Sequence, residues 1–209
     1  MKPDYWDTAA KVLARRDPVL RRLLRQFPEI SLVRRSDAFT TLARAITGQQ
    51  ISVRAAQTVW NRIVAATQGR ATRLSARAII ALDPVALRGC GLSQRKVEYI
   101  RDLATRFIDG HVRPRRWRTM DDEAIIAELV EVKGIGRWTA EMFLMFNLLR
   151  PDVLPVDDIG LQRAVENLYN GGRRLPLAEL RRIGEAWAPW RSVATWYLWR
   201  SLEPVPVQY

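Results

Sequence analysis

The sequence predicts an all-α fold. Apolar residues recur at three- and four-residue spacing along nearly the whole chain, and Gly, Pro and Asp punctuate the intervals. The only strand-like run, Ile30 to Val33, is too short to found a sheet. At 209 residues and 48% hydrophobic, with 8 Trp, the chain can bury a core in one large domain or two small lobes.

In chain order, Trp6, Ala9, Ala10 and Leu13 share one helical face, and Leu20, Leu23, Leu24 and Phe27 share another after Pro18. Phe39, Leu42, Ala43 and Ile46 form the next stripe, followed by Ala56, Val59, Trp60, Ile63 and Val64, then Val97, Ile100, Ala104, Phe107 and Ile108. Asp121 and Asp122 precede a helix containing Ile125, Ile126 and Leu129, acids suited to its positive N-terminal end. Arg137 to Ala140 open an apolar helix that runs to Leu149. Leu161, Ala164, Val165 and Leu168 follow, then Leu177, Leu180, Ile183 and Trp187, and finally Trp190, Val193, Ala194, Tyr197 and Leu198. Breaks fall at Gly69, Asp83-Pro84, Gly89, Gly91, Gly110, Pro151, Pro155, Gly171-Gly172 and Pro189, giving about ten short helices. Arg113 to Arg118 (RPRRWR) is a basic loop, either a phosphate contact or a solvated connector.

The formal charge is +12, which implies a polyanionic partner. Nucleic acid is the commonest such partner, although ribosome or membrane-surface association gives the same balance. Only four of the 34 basic residues are Lys; arginine suits bidentate phosphate contacts, and GC-rich coding gives the same bias. Cys90 and His111 are the only residues of their kinds. That excludes disulfides, zinc clusters and four-cysteine iron–sulfur sites, and it argues against histidine-dependent triads. A lone Cys fits a reducing compartment. Asp4 and Asp7 stand where a signal peptide would be apolar, and no apolar run is of membrane length. The expected location is the cytoplasm, at the nucleoid in a bacterium.

Four stretches carry chemistry. In VEVKGIGRWTAEM, residues 130–142, Gly134-Ile135-Gly136 turns the chain between two helices, as a plain connector or as a seat for a phosphate oxygen on unpaired amides. In LPVDDIG, residues 154–160, an aspartate is a helix N-cap, or one of the pair caps while the other faces a cleft. There a carboxylate would serve any reaction that develops positive charge. WAPWRSVATWYLWR, residues 187–200, places Trp196 and Trp199 three apart, as core packing or as an aromatic pocket. AITGQQIS, residues 45–52, pairs two glutamines at a helix junction, as surface or capping residues, or as filling for the gap left by an extruded nucleotide.

Together and in this order, these stretches resemble the helix-hairpin-helix DNA glycosylase superfamily, in its AlkA-like 3-methyladenine type II branch. KGIGRWTAEM is similar to the family hairpin, LPVDDIGLQ to the segment bearing its essential aspartate, WAPWRSVATWYLWR to its closing helix and AITGQQIS to the segment supplying its plug residue. The resemblance covers about Phe39 to Arg200. It implies a single two-lobed helical unit over 1–209 with the active-site cleft between lobes: one of 35–112, the other of 1–34 packed with 113–209, with the hairpin at about 121–149. The β-rich N-terminal domain of larger relatives has no counterpart here.

The resemblance further implies Asp158 as the catalytic carboxylate, with Asp157 a structural neighbour. Trp138, Trp199 and Ile159 line the base pocket, and Gln50, with Ile51 as its rival, enters the duplex. Gly134, Gly136 and Thr139 meet a DNA phosphate, and Gly91, in Gly89 to Ser93, belongs to a further turn near the duplex. A Na⁺ or K⁺ ion on the carbonyls of Val130, Val132 and Ile135 is implied, with no cofactor required. Relatives that also cleave the backbone carry a lysine where this chain has Trp138, and Lys133 does not match that position. Ile159 replaces an aromatic found after the aspartate in some relatives. The implied activity is monofunctional excision of cationic alkylated purines, such as 3-methyladenine and 7-methylguanine, from damaged double-stranded DNA by a monomer. An abasic site remains, and His111 takes no part. Pocket shape decides between these bases and hypoxanthine, ethenoadenine or uracil. A non-catalytic DNA-binding hairpin protein is the rival of another class, but needs neither Asp158 nor the tryptophans. A basic RNA-associated protein explains the charge but not the motif order.

Overall fold

The computed structural model describes residues 2–34, 36–67 and 73–202, so the expected break at Gly69 lies outside the described residues. Among the described residues the chain forms twelve helices: α1 Trp6–Arg16, α2 Pro18–Gln26, α3 Ala38–Gly48, α4 Val53–Ala66, α5 Ala76–Ala81, α6 Pro84–Gly89, α7 Gln94–Ile108, α8 Asp122–Val130, α9 Arg137–Phe146, α10 Ile159–Tyr169, α11 Leu177–Glu185 and α12 Arg191–Arg200. Residues 30–33 are irregular, and the all-α expectation holds. The helices outnumber those expected because α5 and α6 are only six residues each, too short for a periodic stripe. Among the described residues no helix is long and apolar enough to cross a membrane.

Helix starts follow local chemistry. Asp37, Ser52, Asp83, Ser93 and Asp121 each accept a backbone amide from the first turn of the helix they precede, and Pro84 opens α6. These caps satisfy amides that the helix itself leaves without partners.

The chain clusters into two compact units, one of residues up to 34 and from Leu144 onward, the other from 36 to Phe143. This corrects the expected lobes, because 113–143 belongs with 36–112 rather than with the N-terminal residues. Within this unit Trp117 is 1% exposed, and its ring meets Phe143 edge-on at 5.2 Å. Its indole N–H donates to Glu128 at 2.8 Å, and Glu128 also accepts the Arg113 amide at 3.0 Å. The basic loop is therefore anchored at its tryptophan, with Arg113, Arg115, Arg116 and Arg118 exposed. Within this unit α7 is central, packing on α3, α5 and α6.

In the first unit α12 packs against α1, α2 and α10 and is buried almost all round, from Ser192 to Leu198. The buried residues of those three helices include Trp6, Leu13, Leu20, Leu161 and Val165. A buried carboxylate ties the periphery together. Asp17 Oδ1 caps α2 through the amides of Val19 (2.8 Å) and Leu20 (3.1 Å), while Oδ2 accepts Tyr169 Oη–H (2.7 Å) and Trp187 Nε1–H (3.0 Å). Burial, followed by the hydrogen bond to Asp17, raises the Tyr169 pKa well above its ordinary value. Asp17→Ala removes a cap and strands two aromatic donors, the buried Trp187 indole and the half-buried Tyr169 hydroxyl. It is expected to cost about 3 kcal/mol, read from urea unfolding midpoints, with Asp17→Asn costing less.

Candidate active site

Asp158 ends a short loop and is the N-cap of α10, with Oδ1 accepting the Leu161 amide at 2.6 Å. The same oxygen accepts Trp199 Nε1–H at 2.8 Å. Asp158 is 7% exposed, whereas Asp157 is exposed. The two aspartates therefore do not divide the work as the sequence allowed: Asp158 is itself the cap, and the oxygen that caps also takes the indole. These N–H donors stand in for the water that burial takes from the carboxylate.

Gly160 makes this contact fit. A Cβ on Gly160 would lie 3.0 Å from Asp158 Oδ1 and 3.2 Å from Trp199 Cδ1 and Nε1. Sequence reading missed Gly160, whose only signal was its place two residues after the aspartate. It also missed Phe146, whose ring stacks on Trp199 at 6.0 Å and 8° and meets Trp196 edge-on at 5.9 Å. Trp199 thus belongs to an aromatic cluster and spends its N–H on orienting the carboxylate.

Both ends of α12 bear on the aspartate loop. At its N-terminus, Arg191 forms a fork to Asp152 (Nε–Oδ1 2.7 Å and Nη2–Oδ2 2.8 Å). The Ser192 amide donates to the Pro151 carbonyl (3.0 Å), and Ser192 Oγ accepts the Val153 amide (2.9 Å). Trp199 then reaches Asp158 from the far end. Leu154 is seated where Gly184 of α11 has no side chain, since a Cβ there would be 2.6 Å from Leu154 Cδ2.

The hairpin, whose turn lies in the second unit, joins α8 to α9. Turn bonds run from the Val132 amide to Leu129 O (3.1 Å) and from the Ile135 amide to Val132 O (3.0 Å). The two glycines have different reasons to be there. Gly134 has φ +81°, and a Cβ would overlap the Tyr99 ring of α7. Gly136 has nothing within 4 Å of where a Cβ would project, so its backbone can be approached closely. The Ala140 amide returns to Gly136 O at 3.0 Å, the first i→i−4 bond of α9, so the amides before it lie at the open end of the helix dipole. Arg137 does not extend this surface, because its guanidinium joins Glu123 of α8 and Glu141 of α9. The Arg137 hydrogen bond holds the Glu123 carboxyl below the usual range.

Trp138, in the first turn of α9, is 37% exposed, while Thr139 is buried, which directs attention to its amide rather than its hydroxyl. Ile159 (67%) and Ile51 (41%) are exposed. Gln50 is exposed with φ +58°, a backbone that costs a residue with a side chain about 1 kcal/mol. Gly91 is exposed at φ +105°, with Val59 Cγ2 at 3.1 Å from a Cβ placed there. The structure thus gathers Asp158, Ile159 and Trp199 in one unit, and Gln50, Ile51, Gly91 and the hairpin residues Val130 to Thr139 in the other.

For the implied hairpin cation, Val132 O already accepts the Ile135 amide, and a carbonyl has a second lone pair for a cation. Neutral carbonyl oxygens, such as those of Val130, Val132 and Ile135, are of the ligand type that a hard cation takes. Among the described residues no group of three or more His, Cys, Asp or Glu side chains comes together as a metal site.

The all-helical chain, the glycine hairpin and the capped, buried aspartate some twenty residues beyond it are the parts that the helix-hairpin-helix resemblance calls for. The model of the HhH-GPD superfamily base excision DNA repair proteins matches residues 43–189, and the chain belongs to that family. It is 31% identical over 172 residues to DNA-3-methyladenine glycosylase 1 of Schizosaccharomyces pombe, covering 80% of this chain and 73% of that protein. To the DNA-3-methyladenine glycosylase of Bacillus subtilis it is 30% identical, over 91% of this chain and 65% of the relative. Among solved structures, a DNA-3-methyladenine glycosidase from Bacillus halodurans superposes with a TM-score of 0.83 at 32% identity, covering 93% of this chain and 89% of that one.

The glycines separate experimentally. Gly134→Ala is expected to lower stability by about 3 kcal/mol through its φ and the Tyr99 overlap. Gly136→Ala should stay within about 1 kcal/mol of wild type yet weaken duplex DNA binding about tenfold, read by thermal melts and fluorescence anisotropy.

Proposed function

We propose that this protein removes alkylated, cationic purines, such as 3-methyladenine and 7-methylguanine, from duplex DNA by hydrolysing the N-glycosidic bond. It is a base excision DNA glycosylase, and the product is an abasic site. The observation that carries the reading is the Asp158 carboxylate, buried and held through Oδ1 by the Leu161 amide and the Trp199 indole. Two relatives at about this level of identity that carry the 3-methyladenine name support the substrate class.

A base inside a duplex is out of reach, so the nucleotide must first leave the stack. Hairpin amides at Gly134, Gly136 and Thr139, the turn at Gly91 and the basic surface hold the backbone without reading sequence. Gln50, with exposed Ile51 beside it, fills the vacated space. Trp199 and Ile159, beside Asp158, receive the base, and an indole face attracts a cationic purine by about 1 kcal/mol or more once water is excluded. An alkylated purine is already a good leaving group, so no strong general acid is needed. Asp158 stabilises the oxocarbenium-like sugar or orients the attacking water. With Oδ1 fixed before substrate arrives, little reorganisation is needed in the transition state.

Trp138 occupies the position where a lyase would carry a lysine, and Lys133 faces α7, lining a depression with Gln94, Glu98, Arg101 and Asp102. No Schiff-base nucleophile is therefore assigned, and excision is monofunctional. A Na⁺ or K⁺ ion on the carbonyls of Val130, Val132 and Ile135 would add fixed positive charge beside the phosphate. The protein acts as a monomer on damaged duplex DNA, in the cytoplasm and at the nucleoid in a bacterium.

Asp158→Asn keeps a capping oxygen and should preserve folding and duplex affinity within about threefold, while single-turnover base release from methylated DNA falls by about 100-fold or more. A near-normal rate would remove Asp158 from the mechanism. Gly160→Ala, which crowds the Trp199–Asp158 bond, should slow release about tenfold with little change in affinity. Strand scission should require alkali and heat; breakage on enzyme treatment alone would contradict the monofunctional reading.

A further inference from the structure

The AITGQQIS stretch is held at its centre by a lysine that sequence reading passed over. Lys96, in the first turn of α7, donates from Nζ to the carbonyls of Thr47 (2.8 Å) and Gln49 (2.6 Å). These oxygens lie at the C-terminal end of α3, where carbonyls lack helical partners and a cation complements the dipole. Gln49 then reaches across the unit: its Nε2 donates to the Gly134 carbonyl at 2.8 Å. Gly134 is the hairpin glycine that leaves room for Tyr99, and Tyr99 follows Lys96 by three residues, on the same side of α7. One helix face therefore grips both the AITGQQIS stretch and the hairpin turn, and Gln49 joins the two.

Gln50 lies between two fixed points. Gln49 is bonded through both its carbonyl and its side chain, and Ser52 caps α4 by accepting the Ala55 amide at 3.2 Å. Between them Gln50 is held exposed at φ +58°, a conformation a free loop would leave. From this geometry we infer that Lys96 is a positioning residue for nucleotide extrusion: through Thr47, Gln49 and Gly134 it locks the Gln50 backbone and registers it against the phosphate-facing hairpin. The inference rests on the reading that Gln50 enters the duplex. The extruding tip and the backbone grip then form one preorganised element rather than two loops that must find each other on DNA.

The test reads insertion without chemistry. A duplex carrying a tetrahydrofuran abasic analogue, with 2-aminopurine as its neighbour, brightens when the site is unstacked. Lys96→Met is expected to lower the fluorescence rise at saturating protein about tenfold, while affinity for undamaged duplex stays within about twofold. Lys96→Arg, which still donates to both carbonyls, should recover at least about half of the wild-type rise. A full rise with Lys96→Met overturns the proposal. So does a joint loss of affinity and fluorescence that arginine fails to restore, because it marks a merely structural role. If Lys96→Met does not fold, Gln49→Leu breaks only the hairpin bond and is judged by the same criteria. A wild type that brightens the probe but releases no base from methylated DNA overturns the proposed chemistry and leaves the latch standing. One that leaves the probe dark overturns the latch.

Discussion

A carboxylate taken out of water must be given hydrogen-bond donors, and one unit of this protein meets that demand twice in the same way. Asp158 combines a helix N-cap with an indole N–H from Trp199, and Asp17 combines a helix N-cap with an indole N–H from Trp187. The outcomes differ in how the oxygens are used. Asp17 spreads four donors over both oxygens and works as a joint between α2, α10 and Trp187, two residues past α11. At Asp158 the cap and the indole converge on Oδ1. Much of the local architecture serves that convergence: Gly160 yields the space, Phe146 backs the indole, and Arg191 and Ser192 pin the preceding loop.

What was legible in the sequence follows from the range of each signal. Helix faces and caps are local, so the stripes and the helix-start residues Asp83 and Asp121 could be read directly. The all-α class and the hairpin glycines were reachable too, and LPVDDIG stood out because a proline and two aspartates before an apolar helix are conspicuous; the choice of Asp158 over Asp157 came from the family resemblance. Contacts between residues far apart in sequence were not. Nothing in Lys96 announces that its ammonium will cap α3, and nothing in Tyr99 announces that its ring will exclude a Cβ at Gly134. The division of the chain within α9 escaped for the same reason, since Trp117 reads as part of a basic loop until Phe143 and Glu128 are seen beside it.

The two hairpin glycines show how one residue type answers two constraints. Gly134 is fixed from inside, by backbone sign and a neighbouring ring; Gly136 has open space where a Cβ would project, so no such contact fixes it. Residues of the first kind report on the fold, and those of the second are candidates for contact with a ligand. The same contrast separates Trp117, sealed into its unit, from Trp138, which keeps over a third of its surface open.

The first unit is built from the two ends of the described chain, with Trp6 Nε1–H reaching Tyr197 Oη at 3.4 Å and Arg16 reaching the Ala188 carbonyl. On the ribosome this imposes an order of events. Residues 36–143 emerge as one continuous stretch, whereas Trp6, Leu13 and Leu20 must wait with their apolar faces uncovered until α12 has been synthesised. The helix that presents Trp199 to Asp158 is thus also the piece whose late arrival closes the N-terminal core, and a chain stalled before it would expose α1 and α2 to aggregation.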